Sequence, residues 1–275
     1  MTSKIEQQSM LADSEKGESQ TANVQNHRET WCLPPIFMML ITFVQISVFL
    51  IYYETDQGTE KDIWEYCAGC FTHHNQSIQP GTLIFAPQLR HEVWRFITYM
   101  FLHCGLKHLI ANCVIQLFVG FPLELVHKTW RIAPLYLLAV ISGALLQYAT
   151  DTRGLLTGAS AGAYGLIFAY LVDVVLNLRD RPLSHRDPFI FCYLFIEILY
   201  FLLDRFKDEK CDQESHSPHF AGAITGLLFG YWIFYNSVES RIKIIIRRII
   251  ISLYILFFNT LIVIAIVQKP DFEPI

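Results

Sequence analysis

Long uncharged runs constrain this chain more than any other feature. Ile36 to Tyr53 carries no Lys, Arg, Asp or Glu, and further apolar runs follow at 109–126, 132–150, 155–176, 188–203, 219–236 and 249–267. A helix needs about 20 apolar residues to cross a bilayer, and all seven runs lie near that length. A lipid-exposed segment must satisfy its own backbone, so each run is expected to be a helix rather than an open strand. Composition agrees: 53% of the 275 residues are hydrophobic and 17% are charged, against about 25% charged in an ordinary soluble domain. That excludes a disordered chain and leaves too little polar face for a soluble helical protein. The net charge of -4 offers no basic footprint for nucleic acid. The expected fold class is all-α, a polytopic transmembrane bundle of seven spans.

Three regions follow. Residues 1–35 form a polar tail, rich in Gln, Ser, Glu and Asn, expected to be disordered and cytoplasmic. It lacks a basic segment followed by an apolar core, so no cleavable signal peptide is expected. Residues 36–237 hold six spans and a long loop, 54–107. Residues 238–275 hold a basic loop, the seventh span and a short tail. Twelve of the 21 Lys and Arg fall on the side of the N-terminal tail, among them Arg241, Lys243, Arg247 and Arg248 in one loop. The short loops therefore put the N-terminus inside and the C-terminus outside. A seven-span receptor would need the opposite orientation. Outside loops would then carry the Asn75-Gln76-Ser77 glycosylation triplet, and Cys67, Cys70 and Cys211, two of which could pair in an oxidising lumen. The segment Cys67 to His74 could instead bind a metal. Cys32, Cys104, Cys113 and Cys192 lie in or near apolar runs and read as packing residues.

Polar groups inside a bilayer are costly and mark functional positions by default. Spans two, four and six all enter from the outside, and each carries such groups in its first third. Span two has His108 and Asn112, one turn apart on one face. Span four has Ser160 within Gly158-Ala159-Ser160-Ala161-Gly162, about 8 Å deep at 1.5 Å per residue. Span six opens Ser217-Pro218-His219, with Gly222 and Gly226 following. Singly, such residues are commonly helix–helix glue or interfacial groups. Together, at one depth and flanked by glycines that permit close approach, they suggest convergence. A Ser beside a His is the minimal nucleophile and base. Asn112 and His108 could donate to a developing oxyanion. No acid adjoins His219, so a dyad is expected. Glu197, within span five, has no partner that the sequence names.

These residues resemble the rhomboid intramembrane serine proteases. The resemblance rests on Trp94-Arg95, on Phe101 to Asn112, on Gly158-Ala159-Ser160, and on His219 with Gly222 and Gly226. It covers roughly residues 36–267. Six core spans plus a C-terminal seventh resemble the secretase-type animal rhomboids of the secretory pathway. The resemblance implies Ser160 as nucleophile and His219 as base. It implies an oxyanion site of the Ser160 N–H, Asn112 and His108, with Tyr164 packed on the His219 ring. Trp94, Arg95 and Glu124 match structural positions, and Gly222 and Gly226 match close-packing glycines. Where the family usually has Gly after the serine, this chain has Ala161, which a helix tolerates. The implied substrates are single-span membrane proteins such as growth-factor precursors, cleaved to release soluble ectodomains. No metal or cofactor is implied, and no EF-hand loop is present. A rhomboid-like pseudoprotease that binds membrane clients without cutting them is the alternative.

Overall fold

The computed structural model describes residues 34–55, 81–152, 154–177, 188, 190, 192, 196, 216–235 and 241–268. Six long helices organise them: α1 Ile36–Thr55, α2 Leu106–His127, α3 Thr129–Thr150, α4 Ser160–Asn177, α5 Ser217–Phe234 and α6 Arg241–Val267. By length and composition, α2, α3, α4 and α6 can each cross a membrane. The apolar part of α1, Ile36–Ile51, is shorter. α5 is as long as α4 and opens on Ser217, Pro218 and His219. Among the described residues there is no strand, only an isolated antiparallel bridge between Phe85 and Leu156. The chain is a helical membrane bundle, as its apolar runs predict. Asn75, Cys67, Cys70, His73, His74, Cys211 and Glu197 lie outside the described residues. So do the tail up to residue 33 and, apart from Pro188, Ile190, Cys192 and Ile196, the fifth run.

Helix directions follow from contacts at the ends. A helix leaves its first N–H groups without acceptors. At the start of α1 the Glu124 carboxylate takes two of them, from Phe37 at 3.0 Å and Met38 at 2.8 Å. Thr129 Oγ1 donates to the same carboxylate. The start of α1 therefore sits beside the end of α2. The end of α3 meets the start of α5, where Thr150 Oγ1 and Ser217 Oγ lie 2.8 Å apart.

Between α1, α2 and α3, a polar network lies wholly inside the bundle. Thr42 Oγ1 donates to Gln116 Oε1 at 2.8 Å, and Gln116 Nε2 donates to Gln45 Oε1 at 2.9 Å and to the Tyr136 hydroxyl at 3.1 Å. Gln116 opens a π-helical turn, Gln116–Gly120, within α2. In a low-dielectric interior such groups must pair with one another, which ties the three helices to one register. At the end remote from His219, the His127 ring stacks on Phe234 and its Nε2 lies 2.9 Å from Asp173 Oδ1.

The α3, α4 and α5 helices pack closest, because their contact faces are small. A Cβ on Gly162 would lie 2.5 Å from the Tyr136 ring, and one on Gly165 would lie 2.6 Å from the Ala139 Cβ. Only bare Cα atoms let the backbones meet at this separation.

Candidate active site

Ser160 is the first residue of α4 and His219 the third of α5, so packing these two helices brings their starts together. His219 Nε2 lies 2.8 Å from Ser160 Oγ, across 59 residues of chain. Both side chains are partly exposed. The separation follows from Gly222: a Cβ there would run into the Ala161 carbonyl. Gly226, one turn on, meets the Gly165 carbonyl in the same way. With any larger residue at these positions, α5 would stand off and the imidazole would lose the hydroxyl.

The imidazole is also held on its face. Tyr164, one turn after Ser160, stacks on His219 with ring centroids 4.4 Å apart and planes 5° apart. Stacking fixes the ring plane, so Nε2 keeps its aim at Oγ. The His216 ring meets His219 edge-on at 6.3 Å.

The approach to Ser160 needs a glycine. Gly158 has φ +104°, which side-chain-bearing residues rarely adopt. A Cβ at this position would also strike the His108 ring. His108, on the first turns of α2, therefore rests directly against the segment that leads into Ser160. The His103 ring meets that of His108 edge-on at 5.3 Å. Asn112 is buried one turn deeper, and its Nδ2 donates to the His108 carbonyl at 3.0 Å. An amide nitrogen has two hydrogens, so one donor remains beyond that bond. The first N–H groups of α4, Ser160's among them, have no acceptor within their helix and lie at its positive end.

Three of the residues singled out in the sequence lie away from this cluster. Arg95 is buried at the start of a short helix, Arg95–Thr98, ahead of α2, bonded to Glu92 Oε2 at 2.7 Å, to the Ile84 carbonyl at 2.8 Å and to the Gly81 carbonyl. Trp94 is exposed, with its indole N–H on the Thr82 carbonyl at 3.3 Å. Glu124 caps α1, as above. These three organise scaffold.

Ala161 points away from the reacting groups. Its methyl is fully buried against α3, where a Cβ on Gly143 would come within 2.6 Å of it. The methyl that replaces the family's hydrogen thus occupies space left by a glycine on the neighbouring helix. Sequence reading passed over Gly143, although the small run Ser142-Gly143-Ala144 inside an apolar span was a signal of close approach.

Cys104 corrects the sequence reading. It is disulfide-bonded, whereas Cys113 and Cys192 are free. It stands in the loop before α2 rather than in the apolar helix, so it belongs with the loop cysteines. Among the described residues, no group of three or more metal-ligating side chains occurs.

A Rhomboid domain matches residues 90–236. Rhomboid-related protein 1 of Caenorhabditis elegans is 51% identical over 263 residues, covering 94% of this chain and 73% of its own length. Rhomboid-related protein 2 of Mus musculus is 30% identical over 239 residues, covering 83% of this chain and 76% of its own. Inactive rhomboid-related protein 2 of Caenorhabditis elegans is 31% identical over 209 residues, 76% of this chain and 57% of its own.

Proposed function

The chain belongs to the rhomboid family, and from that premise we propose that it is an intramembrane serine endopeptidase. It would cleave within or beside the transmembrane segment of single-span membrane proteins, releasing their ectodomains, growth-factor precursors among them. The observation that carries the reading is the 2.8 Å separation of Ser160 Oγ and His219 Nε2.

In this reading His219 Nε2 takes the Ser160 proton as Oγ attacks the scissile carbonyl, and later passes it to the leaving amine. That requires the tautomer protonated at Nδ1. Tyr164 keeps the ring in plane. The Ser160 N–H, the remaining Asn112 hydrogen and His108 stabilise the oxyanion. Losing one such donor lowers turnover about 100- to 1,000-fold. Water then hydrolyses the acyl-enzyme, entering from the outer end of the bundle. The charge bias of the loops supports an inside N-terminus and an outside C-terminus. The disulfide at Cys104 supports an oxidising compartment on the dyad side, which suits the secretory pathway and leaves Asn75 open to glycosylation.

The test is cleavage of a co-expressed single-span substrate by the wild type, Ser160→Ala and His219→Ala, with expression matched. Shedding by the wild type and loss in both variants is expected. Undiminished shedding by either variant overturns the reading. One observation favours a second reading, a pseudoprotease that binds membrane clients: a 31% identical relative is named inactive. Covalent labelling of Ser160 by a fluorophosphonate rules against it. Absence of labelling, with client binding retained, favours it.

A further inference from the structure

The last helix, α6, gives little of itself to the bundle. Tyr254 and Leu261 are its buried residues, and it lies beyond the matched residues 90–236. Its final turn is nevertheless fastened. Arg90 closes a short 3₁₀ turn, Pro87–Leu89, and the two hydrogens of its Nη1 are shared among three acceptors, the Ala265 carbonyl at 2.9 Å, the Gln268 carbonyl and the Tyr148 hydroxyl at 2.8 Å. Tyr148 in turn donates to the Gln268 carbonyl at 2.6 Å. Carbonyls at a helix C-terminus lack intrahelical donors and carry the negative end of the helix dipole. A guanidinium, always charged and with several fixed donors, suits that site better than any other side chain. The contact spans 175 residues of chain to Ala265.

The segment that carries Arg90 is also tied to the approach to Ser160. Phe85 and Leu156 exchange two backbone hydrogen bonds, at 3.1 and 3.0 Å. The Gly158 N–H donates to the Tyr99 carbonyl at 3.1 Å. Phe85 is fully buried and packs edge-on against Phe96 at 4.9 Å. One short stretch, 85–99, thus holds the last turn of α6 through Arg90. Through Phe85 and Tyr99 it holds the residues four and two places ahead of Ser160.

We propose that Arg90 is a positioning residue: it latches the appended helix α6 to the segment that presents Ser160, so that α6 sets turnover at a site it does not touch. The inference rests on Ser160 being the nucleophile and adds a regulating contact that the dyad itself does not require.

The test uses the full-length chain in liposomes, with a single-span substrate and titration of reactive serine by a fluorescent fluorophosphonate. Arg90→Ala is expected to lower kcat per titrated serine about tenfold, with KM unchanged within about twofold. Gln268→Pro disturbs the same carbonyls, because it removes the N–H that closes the last turn on Ile264 at 2.8 Å. It should lower kcat similarly, and the double variant should fall no further than the stronger single one. Multiplying effects overturn the latch. So does a loss confined to the titratable fraction, with kcat per serine unchanged, which is what a merely structural role gives. A labelled wild type with Arg90→Ala unaffected sinks the latch alone. An unlabelled wild type sinks the reading of Ser160 and the latch with it.

Discussion

Exchanging one methyl between two helices tests why this chain carries Ala161. In Gly143→Ala the new Cβ would sit 2.6 Å from the Ala161 Cβ and 3.0 Å from the Tyr99 hydroxyl oxygen. Carbon atoms prefer about 3.5–4.0 Å, so α3 and α4 must part by about 1 Å. Overpacking of this kind costs about 1–3 kcal/mol, and the Tyr99 hydroxyl is not free to yield, since it donates to the Val140 carbonyl at 2.7 Å. Ala161→Gly acts in the other direction. It loses up to about 1 kcal/mol of helix preference and leaves a methyl-sized gap costing about 1 kcal/mol. If the two sites were independent, the double variant would be destabilised by about 4 kcal/mol. If the methyls share one space, the double variant merely moves a methyl across the gap. It should then recover about 2 kcal/mol of that sum, the remainder being the Tyr99 contact that a methyl at 143 keeps, a coupling of about 2 kcal/mol. Unfolding in mild detergent, followed by tryptophan fluorescence, measures all four proteins. Because the Ala161 methyl faces α3, Ala161→Gly should also bring no gain in kcat. Additivity within about 0.5 kcal/mol, or faster turnover in Ala161→Gly, would refute the packing argument.

Glu124→Ala orphans the part-buried N–H of Phe37 and the buried N–H of Met38. It should destabilise by roughly 2–4 kcal/mol, read as a lower unfolding midpoint, while an unchanged midpoint would show that water replaces the carboxylate. Tyr164→Phe keeps the ring stacked on His219 and should retain most of the turnover, whereas Tyr164→Ala should lower kcat with little change in KM; equal losses in both would point to the hydroxyl instead of the stack. His103, in the loop before α2, has its pKa pushed down to about 3, first by burial and then by the neighbouring His108 imidazole. It stays neutral in the fold while the unfolded chain takes up a proton near pH 6.5. Its contribution is therefore whole above pH 6.5 and is lost as pH falls toward 3, at up to about 1.4 kcal/mol per pH unit. Midpoints measured from pH 7.5 to 5.5 should drop in the wild type and less steeply in His103→Asn; parallel slopes would remove His103 from the account.

Apolar length determined the class of this fold before any coordinate. A bilayer admits few solutions for a backbone, so runs such as 132–150 and 249–267 could only be helices. The same cost of burying polarity made Ser160, His219, His108 and Asn112 conspicuous, and Gly222 and Gly226 marked where helices meet. Such signals are local, because periodicity and composition speak for one helix at a time. Tertiary structure gave the expected Ser160–His219 pair its distance of 2.8 Å and alone decided the pairings that the motifs do not name. Ser160 meets His219 across 59 residues, Glu124 reaches back 87 residues to cap α1, and Arg90 reaches forward 175 to α6. It also turned one Asn112 hydrogen onto its own helix, and it showed that the methyl of Ala161 lies against Gly143 and not at the nucleophile. Whether a small residue is required, and on which side, depends on the neighbouring helix. That neighbour is set by close packing in three dimensions, which no stretch of sequence states by itself.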